Sequence, residues 1–387
     1  MAANPLAPDP FSASSPMPIA PRVVHVVANL KEGGAEVLVR ALCTRMERYG
    51  IDTAAVCVYS SNLSAEEKRA FGVPVIEIGR KGRMDAGFFP RLIDTLRSLR
   101  PAIVHGHIST GKYAGRIAAL LAGVPHLVFT EHGDVPYDEL RKLVNRVLHA
   151  RTDRFIVFSD AQRTDLIAKE SIPAERVSVI PNGIDLSRLS TDSQGVRAEL
   201  GIDDATLLFF IPARIIGLKN IPLAIEALAS RERFDGHPWM LAVAGRGPDL
   251  ERCQALVTSL GVGERVRFLG FRDDVSRLMH AADVFLIPSQ SESMPLTLGE
   301  AMLARTLVVS SPWPYARSFI NDGETGFISD GFSSAAFART VERALGNPQR
   351  RADILATAEN FARATFDIEL TARRHADLYR EILGLNP

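Results

Sequence analysis

Arg214 and Lys219, the latter followed by Asn220, stand just beyond an apolar run that ends at Pro212-Ala213. An arginine fork paired with a compact ammonium suits a diphosphate whose negative charge grows as a bond to it breaks. The plainer alternative is a solvated loop that carries two unrelated charges. Farther along, Glu292 and Glu300 flank Ser293-Met294-Pro295. Proline favours the first position of a helix, so a helix is expected to begin near Pro295 and to leave the N–H groups of Leu296 and Thr297 free for a ligand. Glu292 would then lie in the preceding loop and Glu300 on the helix, both able to accept bonds from hydroxyl groups. Taken by spacing alone, they are equally well two surface glutamates.

In the other half of the chain, Gly33-Gly34-Ala35-Glu36 follows an apolar run and opens a helical pattern. Backbone N–H groups at a helix start have no intrahelical partner, and glycine lets a phosphate come close to them. A Gly-Gly turn between strand and helix is more often only a turn. His105, His107 and His132 fall at the ends of two further apolar runs. One histidine there is more often structural than catalytic, but three at neighbouring strand ends favour a cleft lining. They could suggest a metal, yet the sequence has no Asp-x-Asp pair, and no metal is expected.

Positioning these groups takes two sets of buried strands. Short continuous apolar runs at 22–28, 53–59, 73–78, 102–105, 127–130, 155–158 and 177–180 alternate with helical patterns, as in a parallel sheet covered on both faces. The pattern breaks at Pro181-Asn182-Gly183 and the polar stretch through Gln194, which reads as a linker. It restarts at 206–211, 239–244, 266–269, 284–287 and 307–310, so an α/β fold of two Rossmann-like, doubly wound domains is expected. The expected division is a disordered tail over 1–20, one domain over 21–190, a second over 191–365 and a closing helix over 366–387.

Composition agrees with a two-core chain of 387 residues, 46% hydrophobic and 23% charged. Lys+Arg and Asp+Glu both total 45, which removes a global field for nucleic acid or anionic lipid, so no nucleic-acid partner is expected. The cysteines Cys43, Cys57 and Cys253 have no paired metal or redox spacing and fit a reducing compartment. No apolar run approaches the ~20 residues of a membrane span, and the first twenty residues lack the layout of a signal peptide; the expectation is a cytoplasmic protein. Residues 139–149 place Leu140, Leu143, Val144, Val147 and Leu148 on one stripe with basic residues elsewhere. This reads as a solvated basic face, or as a peripheral contact with the inner membrane surface.

Taken in order, the motifs resemble glycosyltransferase family 4, a family of retaining enzymes of the GT-B fold, from about Arg22 to the end. The matching pieces are Gly33-Gly34-Ala35-Glu36, Val104-His105-Gly106-His107, Thr130-Glu131-His132-Gly133, Val179 to Asp185, Arg214 with Lys219-Asn220, Gly245-Arg246-Gly247-Pro248, and Glu292 with Glu300. The resemblance implies two domains facing a central cleft, with the last helix returning to the first domain. It implies a UDP- or GDP-sugar as donor substrate, no further cofactor, and a glycan or lipid-linked acceptor. By the same resemblance Gly33 and Gly34 lie near the donor phosphates, His132 at the reacting sugar, and Arg214 and Lys219 on the diphosphate. Glu292 would hold the transferred sugar and Glu300 the ribose; Met294, Pro295 and Leu296 would line the donor site, and the segment ending at Phe271 would meet the base.

The chain departs from the family pattern where a glycine often follows the first glutamate, since Ser293 stands there, and where Arg305 and Leu307 replace a Gly and a Pro. Pro314-Tyr315 and Arg317-Ser318 replace a Gly-Gly and a Pro-Glu; Arg317 is a candidate additional cation near the diphosphate. Two other readings stay open on the sequence: a nucleotide-sugar epimerase of similar two-domain form, and a catalytically silent module that binds donor. A dehydrogenase fits worst, because the first turn lacks Gly-x-Gly-x-x-Gly spacing.

Overall fold

The computed structural model describes residues 22–31, 33–82, 84–133, 139–189, 192–346 and 348–385, without the side chains of 139–143 and 188. The tail expected over 1–20 lies outside the described residues. Two all-parallel sheets are present. The first runs β3-β2-β1-β4-β5-β6-β7 and is built from β1 (Arg22–Val27), β2 (Asp52–Cys57), β3 (Val75–Glu77), β4 (Ile103–His107), β5 (His126–Thr130), β6 (Arg154–Val157) and β7 (Val177–Val179). The second runs β10-β9-β8-β11-β12-β13, from β8 (Leu207–Pro212), β9 (Trp239–Ala244), β10 (Val266–Gly270), β11 (Val284–Ile287), β12 (Leu307–Ser310) and β13 (Phe327–Ile328). Each order reverses at a switch point, between β1 and β4 and between β8 and β11, where open α/β sheets leave a crevice at the carboxyl ends of their strands. The fold is GT-B: two Rossmann-like lobes.

Helices cover both faces because the strands bury apolar residues on both. In the first lobe, Val24, Val26 and Val104 pack on Phe88, Leu92 and Leu96, while Val23, Ile103 and Ile156 pack under Leu38, Ala372 and Tyr379. That second cluster joins the first helix, Gly34–Cys43, to the closing helix, Ile368–Ile382, across one face of the sheet. The closing helix sits on the first sheet although its chain has just left the second lobe.

Two differences from the sequence reading have clear causes. Strand β4 continues to His107, beyond the expected end at 105, because Gly106 lies where a Cβ would come within 2.6 Å of the Gly111 carbonyl oxygen and only a glycine admits that approach. In the helix Glu139–Ala150, among the residues whose side chains are described, the buried ones are Asn145, Leu148 and His149, whereas Val147 is 59% exposed; Leu140 and Leu143 of the expected stripe lie outside them. The expected stripe of Val144, Val147 and Leu148 therefore splits, since its members do not share the face that meets the lobe.

The chain passes between the lobes at 182–184 and again at 366–368, and the two passages bond to each other. The Ile184 N–H donates to the Phe366 carbonyl at 2.6 Å, and the Ile368 N–H to the Ile184 carbonyl at 3.3 Å. Arg45, at the end of the first helix, donates to Asp185 at 3.0 Å and to Glu369 at 2.7 Å, tying both passages to the first lobe. Gly183 has no room for a side chain: a Cβ would stand 2.4 Å from the Ile368 Cα. Gly183→Ala must push the two passages apart, at a cost of about 1–3 kcal/mol by the usual penalty of overpacking. The measurement is the thermal midpoint, expected to fall by several degrees; an unchanged midpoint would show that the passages are loosely apposed.

Candidate active site

Facing loops at the carboxyl ends of both sheets carry the groups singled out above. On the second lobe, Arg214 follows β8 and is exposed, with no ion-pair partner among the described residues. Its loop is braced from behind by the turn after β9. The Ile215 N–H donates to the Arg246 carbonyl at 2.9 Å, and Cβ atoms at Gly245 and Gly247 would both collide with the carbonyls of Ala213 and Ile215. The Gly245-Arg246-Gly247 motif thus aims Arg214 by letting two backbones touch.

Lys219 and Glu292 form an ion pair at 2.6 Å, with their side chains 22% and 11% exposed, and the Ser289 hydroxyl donates to the same Glu292 oxygen at 2.6 Å. The helix Leu296–Leu303 begins one residue later than expected, with Pro295 as its cap rather than its first residue. Pro295 has an extended backbone (ψ 121°) and its carbonyl accepts from the Leu298 N–H at 3.1 Å, which still leaves the Leu296 and Thr297 N–H groups without intrahelical partners. Met294 turns its side chain away from any ligand: it is 5% exposed and its sulfur accepts the Asn182 N–H at 3.1 Å. At Met294 the backbone alone is left to serve a ligand. Phe271, just beyond β10, is 60% exposed, as a base-stacking residue needs to be.

On the first lobe, Gly33 caps the first helix at φ 112°, a conformation that glycine tolerates and that lets the chain turn from strand to helix. Gly34 lies against Leu296 of the other lobe, where an added Cβ would rest 3.8 Å from its side chain. Beside them, His132 sits on a turn held by Glu131. That carboxylate accepts from buried Lys112 at 2.5 Å and from the Gly133 N–H at 3.3 Å. The Ser293 hydroxyl donates to the His132 carbonyl at 2.9 Å and so sets His132 across from the loop of Glu292. Arg317 is exposed and lies near enough to Asp322 to help lower the pKa of that carboxyl, whose larger partner is Arg343.

Sequence reasoning missed what stands behind His132. His25 of β1 pairs in register with His105 of β4, and His107 lies two residues on, so all three project from one face of the sheet. His25 Nδ1 and His107 Nε2 are 3.0 Å apart, and His107 Nδ1 and His132 Nε2 are 3.2 Å apart. His105 bonds to the Tyr379 hydroxyl at 2.6 Å and to the Thr130 hydroxyl at 2.7 Å. The signal was available: His25 is the one polar residue inside Val-Val-His-Val-Val. Among the described residues, His25, His105 and His107 come close enough together for a shared metal ion. Both nitrogens of His105 and of His107 also have hydrogen-bonding neighbours. Burial, with some mutual repulsion, holds the ring pKa values down, to about 3 for His25 and His132 and about 4 for His375, so these imidazoles are neutral.

The matches to known proteins follow the two lobes. A model described as Glycosyltransferase Family 4 covers residues 32–188, and one described as Glycosyl transferases group 1 covers 192–361. The chain belongs to glycosyltransferase family 4. A D-inositol 3-phosphate glycosyltransferase of Salinispora tropica is 29% identical over 311 residues, which is 73% of this chain and 64% of that protein, so the chain spans just under two thirds of that relative. EpsF of Bacillus subtilis, named as a glycosyltransferase, is 27% identical over 85% of this chain and 89% of its own length. Among solved structures, Anabaena HepE in complex with UDP and glucose superposes with a TM-score of 0.81 at 21% identity, covering 93% of this chain and 99% of that one. These structural likenesses extend the family's fold over nearly the whole chain.

Between the lobes, a cavity of about 370 Å³ opens among Val37, Arg40 and Ala41 of the first helix, Asp185, Leu296 and Glu300. Burial lifts the Glu300 carboxyl from about 4.5 to about 7. The folded protein therefore holds a proton there that the unfolded chain releases, and stability is lost as pH rises from about 4.5 through about 7. Glu300→Gln removes the penalty of ionisation, so its thermal midpoint should exceed that of the parent at pH 8 and match it near pH 5. An equal difference at both pH values would show that Glu300 does not titrate in this window.

Proposed function

We propose that this chain is a retaining glycosyltransferase that moves a hexose or N-acetylhexosamine from a UDP- or GDP-sugar onto a glycan or lipid-linked acceptor, in cell-surface polysaccharide or glycolipid assembly. The observation that carries the reading is the pairing of Lys219 with Glu292 beside the exposed Arg214, which has no ion-pair partner among the described residues, opposite His132 on the other lobe. A scaffold without chemistry has no need to hold an exposed arginine at the mouth of a cleft beside a second, half-buried cation.

In this reading the donor diphosphate lies at the carboxyl edge of the second sheet, where Arg214 and Lys219 offset the charge that builds on the leaving nucleoside diphosphate. Lys219 holds Glu292 in place until the sugar arrives, and the carboxylate then accepts from its hydroxyls. Glu300, neutral or charged near pH 7, can bond to both hydroxyls of the ribose. The N–H groups of Leu296 and Thr297 and those at Gly33-Gly34 meet the phosphates from opposite lobes. The acceptor attacks from the face that the diphosphate leaves, and a departing phosphate oxygen takes its proton, with no covalent enzyme intermediate. Supporting UDP as the nucleotide, the HepE structures of the same fold hold UDP, alone or with glucose. No helix among the described residues is long and apolar enough to cross a membrane, and a lipid-linked acceptor would be met at a surface.

UDP and GDP, offered separately, should differ in how far they raise the thermal midpoint; a nucleotide at 100 times its Kd adds about 2.7 kcal/mol to stability. Arg214→Ala and Lys219→Ala should each weaken the better nucleotide about 10- to 100-fold, the worth of one charge-assisted hydrogen bond. Titration calorimetry measures this directly. If neither nucleotide binds, or if both variants bind as well as the parent, the donor-site reading is wrong.

A further inference from the structure

The hydrogen bonds behind His132 form a chain with a direction, and the direction can be worked out ring by ring. All the imidazoles are neutral, so each carries one N–H. His375, on the closing helix, is the simplest: its Nδ1 lies 2.8 Å from the Thr371 carbonyl, which can only accept, so the proton is on Nδ1. Its Nε2 is buried without a partner and is therefore a bare lone pair. His105 follows, because the Tyr379 hydroxyl has no other acceptor among the described residues and must donate to His105 Nδ1, which puts the His105 proton on Nε2, toward Thr130.

His25 poses the same choice as His375. It is fully buried, its Nε2 has no partner, and its Nδ1 faces His107 Nε2. A buried N–H without an acceptor is rarer and costlier than an unused acceptor, so the proton belongs on Nδ1, as the carbonyl dictates in His375. Once that is fixed, the rest has no freedom. His25 Nδ1–H donates to His107 Nε2, so His107 carries its proton on Nδ1. His107 Nδ1–H donates to His132 Nε2, so His132 also carries its proton on Nδ1. His132 Nδ1 has no hydrogen-bond partner among the described residues and is not among the buried atoms that lack one, which leaves it open to the cleft.

We propose that His25 and His107 are positioning residues that transmit one proton arrangement outward through three imidazoles, so that His132 meets the cleft with an Nδ1–H donor aimed at a hydroxyl or ring oxygen of the bound sugar. The identity of that oxygen rests on the donor-site reading; the proton arrangement does not. A ring able to swap tautomers would present a lone pair as readily as an N–H, and a sugar hydroxyl bound either way would sit differently against the diphosphate. The relay removes that ambiguity at no electrostatic cost to the cations across the cleft, because every ring in it is uncharged.

The experiment uses the full chain labelled with 15N-histidine, free of ligand, and reads each tautomer from the long-range correlations of its ring nitrogens; His132→Gln identifies the His132 signals by their loss. His107 and His132 are expected as Nδ1–H tautomers. In His25→Asn the side-chain amide N–H replaces the lost donor, and both rings should stay as they are. In His25→Met a thioether that can only accept replaces the donor, and both should invert to Nε2–H. An Nε2–H His132 in the parent, a metal-bound shift on any of the rings, or a His25→Met protein with both tautomers unchanged would overturn the relay. Should His25→Met fail to fold, the parent spectrum alone decides the direction. Absence of UDP and GDP binding with the expected tautomers present would sink the donor-site reading and leave the relay standing.

Discussion

The site depends first on the double passage of the chain between the lobes. Residues 182–184 and 366–368 lie side by side, and Gly299, on the helix that carries Glu300, presses against both: a Cβ there would come within 2.6 Å of Ile184 and of Phe366. The helix of Glu300 is thereby seated on the joint itself, not on a free surface of the second lobe. Arg45 then ties the joint to the end of the first helix, whose opposite end is the Gly33-Gly34 turn. Any change in the angle between the lobes must pass through contacts that reach the glutamate helix directly and the glycine turn along the length of the first helix. A closing motion that assembles a site from two lobes needs such a coupling, since separate loops would otherwise have to find each other by chance.

The two walls of the cleft solve different electrostatic problems. The second lobe keeps its charges at the rim, where Arg214 is exposed and Lys219 is partly solvated, and so avoids the cost of burying an unpaired cation. The first lobe puts its histidines in the interior and keeps them neutral. His25, His105 and His107 are inaccessible to solvent, and their proximity makes protonating any one of them costly to the others. Such an array can be stable only if its hydrogen bonds are satisfied, and two orphan nitrogens, on His25 and His375, are the remaining expense. Packing a strand of valines around a histidine is a poor way to build a core. Its place in Val-Val-His-Val-Val is explained by a task at the end of the hydrogen-bond chain better than by stability.

Much of the fold was legible because parallel strands buried on both faces leave short apolar runs that cannot be amphipathic helices. The runs at 22–28 and 239–244 correspond closely to β1 and β9. The strand Phe327–Ile328 was not legible, since two residues give no period. Among the site residues, Arg214, Lys219, Glu292 and Glu300 could be named because motif order carried them, and the structure pairs Lys219 with Glu292. What the sequence could not show is contact between residues far apart along it. His105 meets Tyr379 and His132 meets Ser293, pairs separated by 274 and 161 positions, and only the assembled lobes bring them together. Nor could the sequence show where the Met294 side chain goes, because its partner Asn182 belongs to the joint.

The departures from the family pattern fit this picture of a cleft held by contacts across it. Ser293, where a glycine is common, supplies the hydroxyl that bonds to the His132 carbonyl on the opposite lobe. In the altered loop after β12, Trp313 is buried and donates to the Ser310 hydroxyl at 2.9 Å, while Tyr315 reaches across to Asp165 of the first lobe at 3.2 Å. A glycine-rich loop at that place would offer its backbone to a ligand; this one offers side chains to its own core and to the facing lobe. The loop is thus held by its own core and by a bond to the facing lobe. In the proposed reading, the phosphate contacts that such a loop would share fall to Arg214 and Lys219, with the helix start at Leu296. The departures at 293 and 315 are two parts of one adjustment: each bridges the lobes on a different side of the cleft, and together they hold His132 opposite Glu292 before any ligand arrives.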